Sequence, residues 1–63
     1  MKKIEKALIV DDDDTFRRTL QSALRRRGVV ALTAATVEEG EFILEDGQTD
    51  LVILDYRMPR QDG

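Results

Sequence analysis

The stretches Lys6-Ala-Leu-Ile-Val10 and Asp50-Leu-Val-Ile-Leu-Asp55 each carry four consecutive apolar residues, and each apolar run halts at an aspartate. A run of that length without polar alternation is the pattern of a strand buried on both faces, as in a parallel sheet. Parallel strands cannot be joined by a hairpin, so the chain between them must cross over, usually through a helix. That requirement constrains the fold more than any other feature of the sequence.

The intervening residues supply the crossovers. From Thr15 the apolar period becomes helical: Phe16, Leu20, Ala23 and Leu24 share one stripe, while Arg17, Arg18, Gln21, Arg25 and Arg26 take the other faces. The spacing predicts an amphipathic helix of about three to four turns. Its acidic start and its Arg25-Arg-Arg-Gly28 end both suit the helix dipole, and Gly28 reads as a left-handed C-terminal cap. Val29 to Ala35 reads as a second strand. Thr36-Val-Glu-Glu39 fits a capping box, which predicts a second helix running to about Asp46 and ending at Gly47. On it Val37, Gly40 and Leu44 share a face flanked by Ile43 and Glu41, with Phe42 opposite as an exposed surface aromatic. After the third strand, Tyr56 to Gly63 reads as a loop stiffened by Pro59 and closing in Asp62-Gly63. The order is therefore β-α-β-α-β, one α/β domain with right-handed crossovers.

Composition narrows the chemistry. Apolar residues at 41%, charged residues at 37% and a net charge of −3 describe a soluble globular segment with no basic field for nucleic acid. The chain has no cysteine and no histidine, which removes disulfides, thiolate and imidazole metal sites and histidine acid-base catalysis. Any metal must be held by oxygen. The run Ala7 to Val10 is too short for a signal-peptide core or a membrane span, so a cytoplasmic location is expected.

The functional question rests on Asp11-Asp-Asp-Asp14 and Asp55. One of Asp13 and Asp14 suffices to cap the first helix. Capping explains neither the rest of the run nor Asp55. In strand order 2-1-3 the ends of the first and third strands are neighbours about 4.8 Å apart, and Asp11, Asp12 and Asp55 converge. In order 3-2-1 the third strand lies roughly 10 Å from the first, and Asp55 is left out. Both apolar strands end in aspartate at the carboxyl edge, where open α/β sheets hold their ligands, and this favours convergence. Crowded carboxylates oppose one another's ionisation unless a cation compensates, and a hard divalent ion such as Mg2+ takes oxygen donors while keeping several waters. One carboxylate could then act as a nucleophile toward phosphorus.

These residues resemble the receiver domain of two-component response regulators. The likeness runs through Ala7-Leu-Ile-Val-Asp-Asp12, Arg17-Arg18, Gly28, Ala34-Ala-Thr-Val-Glu-Glu-Gly40, Leu51-Val-Ile-Leu-Asp-Tyr-Arg-Met-Pro59 and Asp62-Gly63, nearly the whole chain. An apolar strand ending in Asp, then x-x-Met-Pro and Asp-Gly, is highly specific beside the aspartate pair. The resemblance implies half of a doubly wound flavodoxin-like fold with order 2-1-3. It implies that Asp55 accepts a phosphoryl group from a sensor histidine kinase. It also implies a Mg2+ site in which Asp12 binds directly, Asp11 directly or through water, with Asp55 and the main-chain carbonyl of Arg57 as further ligands. Pro59 and Gly63 would shape the loop.

Departures from the family pattern carry expectations of their own. Receivers are about twice as long, and residues 1–63 correspond to the first half, without the strand-end Thr or Ser, the Lys and the switch aromatic that read out phosphorylation; signalling by this stretch alone is expected to be impaired. Glu41 stands where the family often has an apolar residue. With the third strand at the sheet edge, the chain is expected to form a homodimer or larger assembly through that strand or by exchange of an element. No nucleic-acid or membrane partner is expected for this segment. Two other readings compete: a self-associating structural half-domain without activity, and a haloacid-dehalogenase-type phosphatase with Asp11 as nucleophile and Asp13 as acid/base. The phosphatase reading leaves Asp55 and Met58-Pro59 unexplained. An EF-hand loop is disfavoured because Phe16 stands where that loop needs glycine.

Overall fold

The computed structural model describes residues 3–55. The elements are β1 (Lys6–Val10), α1 (Asp14–Arg26), β2 (Val30–Ala34), α2 (Val37–Leu44) and β3 (Leu51–Leu54). The three strands form one parallel sheet in the order β2-β1-β3. Of the two orders left open by the residues, this is the one that sets the ends of the first and third strands side by side.

β1 is the central strand, and Ala7, Leu8, Ile9 and Val10 are all buried. Successive side chains leave opposite faces of a strand, so Leu8 and Val10 point to one layer and Ala7 and Ile9 to the other. The first layer packs against α2: Leu8, Val10 and Ala34 form a cluster with Leu32 and Ile43 against it. Gly40 makes this approach possible, since a Cβ there would stand 3.0 Å from Val10 Cγ2 and 3.6 Å from Leu8 Cδ2. The helices pack on β1 and β2.

Both helices are capped by the residues that the sequence signals. Asp13, not Asp14, is the N-cap of α1, its carboxylate accepting the Phe16 N–H at 3.1 Å. The C-terminus of α1 is a Schellman turn: Gly28, at φ +83°, donates to Arg25 O at 2.9 Å, and Val29 N–H reaches Leu24 O at 3.0 Å. Only a residue tolerant of positive φ closes a helix this way. Thr36 caps α2 by accepting the Glu39 N–H at 3.1 Å. The reciprocal contact differs from a simple capping box, because Glu39 accepts the N–H of Ala35, one residue before the cap, at 2.9 Å.

Some expectations shift. α2 ends at Leu44 rather than near Asp46, as Gly47 at φ +71° donates back to Leu44 O at 3.0 Å and the chain turns out of the helix. Asp46 then accepts from the Gln48 N–H at 2.9 Å. β2 is shorter by one residue at each end than Val29 to Ala35. The apolar stripe of α1 is only partly covered: Leu20 and Leu24 are half-buried and Phe16 is exposed. Phe42 is exposed, as its helical position predicts. Among the described residues no helix is long and apolar enough to cross a membrane.

Candidate functional site

The carboxyl edge of the sheet is built by the ends of β1 and β3. Val10 is in register with Leu54, so Asp11 and Asp55 are the next residues on adjacent strands. The Asp55 N–H donates to Val10 O at 3.2 Å, which ties its backbone to the end of β1. On the other side the Asp11 N–H donates to Ala34 O at 3.1 Å. The Asp11 backbone is thus anchored to β2 just where β1 ends.

The four consecutive aspartates have different surroundings. Asp11 is buried at 2% exposure, whereas Asp12, Asp13 and Asp14 are exposed. A buried carboxylate needs compensating donors. Asp11 Oδ1 accepts the Asp13 N–H at 2.9 Å, an Asx-type turn that carries the chain from β1 into α1. Asp13 is committed to its cap, and Asp14 lies in the first turn of α1, paired with Arg17 at 2.9 Å and with Arg18 at 3.3 Å. An acidic first turn complements the positive end of the helix dipole. Asp12 is thereby the exposed carboxylate of the run that lies outside the helix and its cap.

Arg17 is a feature that sequence reasoning placed on the polar side of α1 and that the structure places at the site. Its guanidinium donates through Nη1 to Asp11 O at 2.6 Å and through Nη2 to Asp14 Oδ1 at 2.9 Å, and the side chain is largely buried. The planar fork of arginine allows both bonds at once, so one side chain braces the turn between β1 and α1. The signal lay in spacing: Arg17 is three residues after Asp14, one helical turn away and able to reach back over the strand end. Gln21, one turn further, has a similar role, donating to Ala31 O at 2.8 Å and tying α1 to β2.

The sheet places Asp11 and Asp55 on neighbouring strand ends, with Asp12 next in the chain. Among the described residues no group of three or more Asp or Glu side chains stands close enough to hold a metal ion. In kind, the donors are oxygen only, which fits a hard divalent cation and not a soft one. Asp55 itself is half-buried. The expected Arg57 ligand, together with Met58, Pro59 and Asp62-Gly63, lies outside the described residues.

A family model described as the response regulator receiver domain matches residues 7–63. The chain is also similar to individual proteins. It is 39% identical over 56 residues to the transcriptional regulatory protein AfsQ1 of Streptomyces coelicolor, an alignment covering 89% of the chain and 25% of that protein. Against the two-component response regulator ARR22 of Arabidopsis thaliana the identity is 38% over 64 residues, covering 98% of the chain and 45% of that protein. The probable transcriptional regulator ycf27 of Guillardia theta is 41% identical over 59 residues, 94% of the chain and 23% of that protein. The chain therefore spans between about a quarter and just under half of the length of these relatives.

Proposed function

This chain belongs to the family of response regulator receiver domains, and from that premise we propose that Asp55 is the phosphoacceptor of a two-component signalling module. The observation that carries the reading is the β2-β1-β3 order, which sets Asp55 beside the end of β1, where Asp11 and Asp12 follow. A carboxylate oxygen of Asp55 would attack the phosphorus of a kinase phosphohistidine. The new P–O bond forms as the P–N bond breaks, and the departing imidazole takes up a proton. The phosphoryl group remains on Asp55 as a mixed anhydride, so the chain acts as the acceptor in a signalling step rather than as an enzyme with a substrate of its own.

Asp11, Asp12 and Asp55, with the Arg57 carbonyl, are proposed to hold Mg2+. When bound, the ion would neutralise the phosphoryl oxygens and offset the clustered carboxylates. The protein's own part is positional. The turn held by Asp11 Oδ1 and Arg17 fixes where the acidic pair sits, and the ladder between β1 and β3 fixes where Asp55 sits.

The test is direct. Incubated with a phosphorylated kinase domain or with acetyl phosphate and Mg2+, the chain should gain one phosphoryl group, localised to Asp55 by mass spectrometry after borohydride reduction. Asp55→Asn should abolish the gain. A phosphoryl group found on Asp11 would instead support the phosphatase chemistry, and its absence from both aspartates would support a structural half-domain.

Self-association is proposed on separate grounds. Among the described residues β3 is an edge strand on which neither helix packs, and Val52 and Leu54 are 43% and 51% exposed. An apolar edge of this kind recruits another strand. A homodimer or larger assembly, through β3 or by exchange of an element, should appear in light scattering at micromolar concentration. A monomer under those conditions would refute it.

A further inference from the structure

β3 carries the proposed phosphoacceptor at its end, yet its own sequence says little about its register. In Leu51-Val-Ile-Leu54 every position is apolar, so sliding the strand by one residue would exchange one apolar side chain for another at three of the four paired positions and bring a flanking aspartate into the fourth. Alternating strands punish such a slip at every position, because it turns the polar set inward; in this strand only the flanking aspartates oppose it. Nor does a helix hold it, since both pack on β1 and β2. A slip of one residue would carry Asp55 about 3.3 Å along the sheet, away from the end of β1.

The register is held at the opposite end of the strand. Asp50, the residue before β3, makes three hydrogen bonds to the start of β1. Its N–H donates to Lys6 O at 2.8 Å, and its carboxylate Oδ2 accepts the N–H groups of Glu5 at 2.9 Å and Lys6 at 3.1 Å. Bonds of backbone N–H groups to an ionised carboxylate are stronger than neutral ones. The same two residues meet the other neighbour, for Val30 N–H donates to Glu5 O at 2.9 Å and Val30 is in register with Lys6. Glu5-Lys6 is thus a common origin from which both flanking strands are measured.

We infer that Asp50 is a positioning residue: by clamping the start of β3 to Glu5 and Lys6 it sets the strand register that delivers Asp55 to the end of β1. The clamp stands on geometry alone, while its consequence for phosphoryl transfer rests on the reading of Asp55 as phosphoacceptor. An aspartate before a strand is ordinarily a turn residue with no long-range role. Here its carboxylate bonds to residues 44 and 45 positions away.

Hydrogen exchange and phosphorylation, measured on wild type, Asp50→Ala and Asp50→Asn, test it. Removing the carboxylate should lower amide protection from Leu51 to Asp55 by about tenfold, the worth of hydrogen bonds to a charged acceptor, with β2 protection retained. The initial rate of Asp55 phosphorylation by acetyl phosphate should fall in parallel. Asp50→Asn keeps an acceptor oxygen of the same reach and should restore most of both. Unchanged β3 protection in Asp50→Ala would overturn the clamp, as would a uniform loss across all three strands. If Asp50→Ala does not fold, Asp50→Ser, with a shorter and weaker acceptor, reads the same selectivity. Should wild type take no phosphoryl group while Asp50→Ala still loses β3 protection alone, the phosphoacceptor reading fails and the clamp stands.

Discussion

β1 and β3 have nearly the same sequence pattern, four apolar residues and then an aspartate, and quite different surroundings. Every residue from Ala7 to Val10 is buried, and Asp11 with them. In β3 burial alternates, with Leu51 and Ile53 half-buried, Val52 and Leu54 exposed, and Asp55 half-buried. The difference lies in position, since β1 has a strand on each side and a helix on each face, whereas β3 has one strand neighbour and no helix. Burial is therefore assigned by topology, and an unbroken apolar run states only what a strand is able to bury. A groove of about 120 Å³ opens between α2 and β3, with Leu8 and Val10 as its floor and Leu44, Val52 and Leu54 at its walls. The two strands meet there, and substitutions on either side of it weigh one against the other.

The largest contrast is expected from equal truncations. Leu8→Ala, at a fully buried position, should cost about 2–5 kcal/mol, enough to unfold a domain of marginal stability. Leu54→Ala, at 51% exposure, removes the same atoms from a half-solvated position and should cost about 1 kcal/mol. Urea titrations measure both. Equal losses would break the comparison, and would mean that β3 is covered in solution; a dependence of the Leu54→Ala effect on protein concentration would identify a second copy as the cover.

Gly40 gives the next largest effect because it sets how closely α2 approaches β1. Gly40→Leu should destabilise by about 1–3 kcal/mol through overpacking against Val10 and Leu8. Gly40→Ala brings one Cβ to 3.0 Å from Val10 Cγ2 but gains about 1 kcal/mol in helix propensity, so its net effect on the thermal midpoint should be small. A large loss with alanine would show that Val10 cannot yield, and that the rigidity of β1 extends into its last residue before Asp11.

The ends of the two strands were unequally legible in the sequence. Element order followed from the change of apolar period, and both helix caps from Asp13 or Asp14, Gly28, Thr36 and Gly47, because those signals are local and chemical. Strand order was not local: the two strand-end aspartates favoured 2-1-3 without excluding 3-2-1, and the likeness to the receiver pattern, Asp55-Tyr-Arg-Met-Pro59 included, selected between them. The bonds of Asp50 to Glu5 and Lys6 were invisible for the same reason, and that of Arg17 to Asp11 O was signalled only by the spacing of Arg17 from Asp14. Each acts on a backbone group, which carries no sequence identity. Choosing Asp13 over Asp14 likewise needed the φ and ψ of the turn, since either residue has the required side chain. Asp13→Ala should cost about 1 kcal/mol by loss of that cap, while Asp14→Ala should cost less.

The smallest expected effect, that of Arg18, stands beside an arginine that shares its partner. Arg17 and Arg18 both pair with Asp14, at 2.9 and 3.3 Å, but their side chains are 14% and 77% exposed. Exposed ion pairs gain little, because water screens the attraction and two long side chains lose freedom. Arg18→Gln should therefore change stability by less than about 0.5 kcal/mol, and added salt should erase even that. Arg17→Gln loses a second bond, to Asp11 O, made by a largely buried guanidinium, and should cost about 1–2 kcal/mol with little salt dependence. Arg17→Lys should recover only part of that, since an ammonium cannot reproduce the planar fork that reaches Asp11 O and Asp14 together. Chemical denaturation of the three variants at low and high salt would show the ordering. If Arg17 and Arg18 proved equivalent, the brace at the end of β1 would count for no more than a surface pair. The fixed position of Asp11 would then have to come from its own bonds to Asp13 and Ala34.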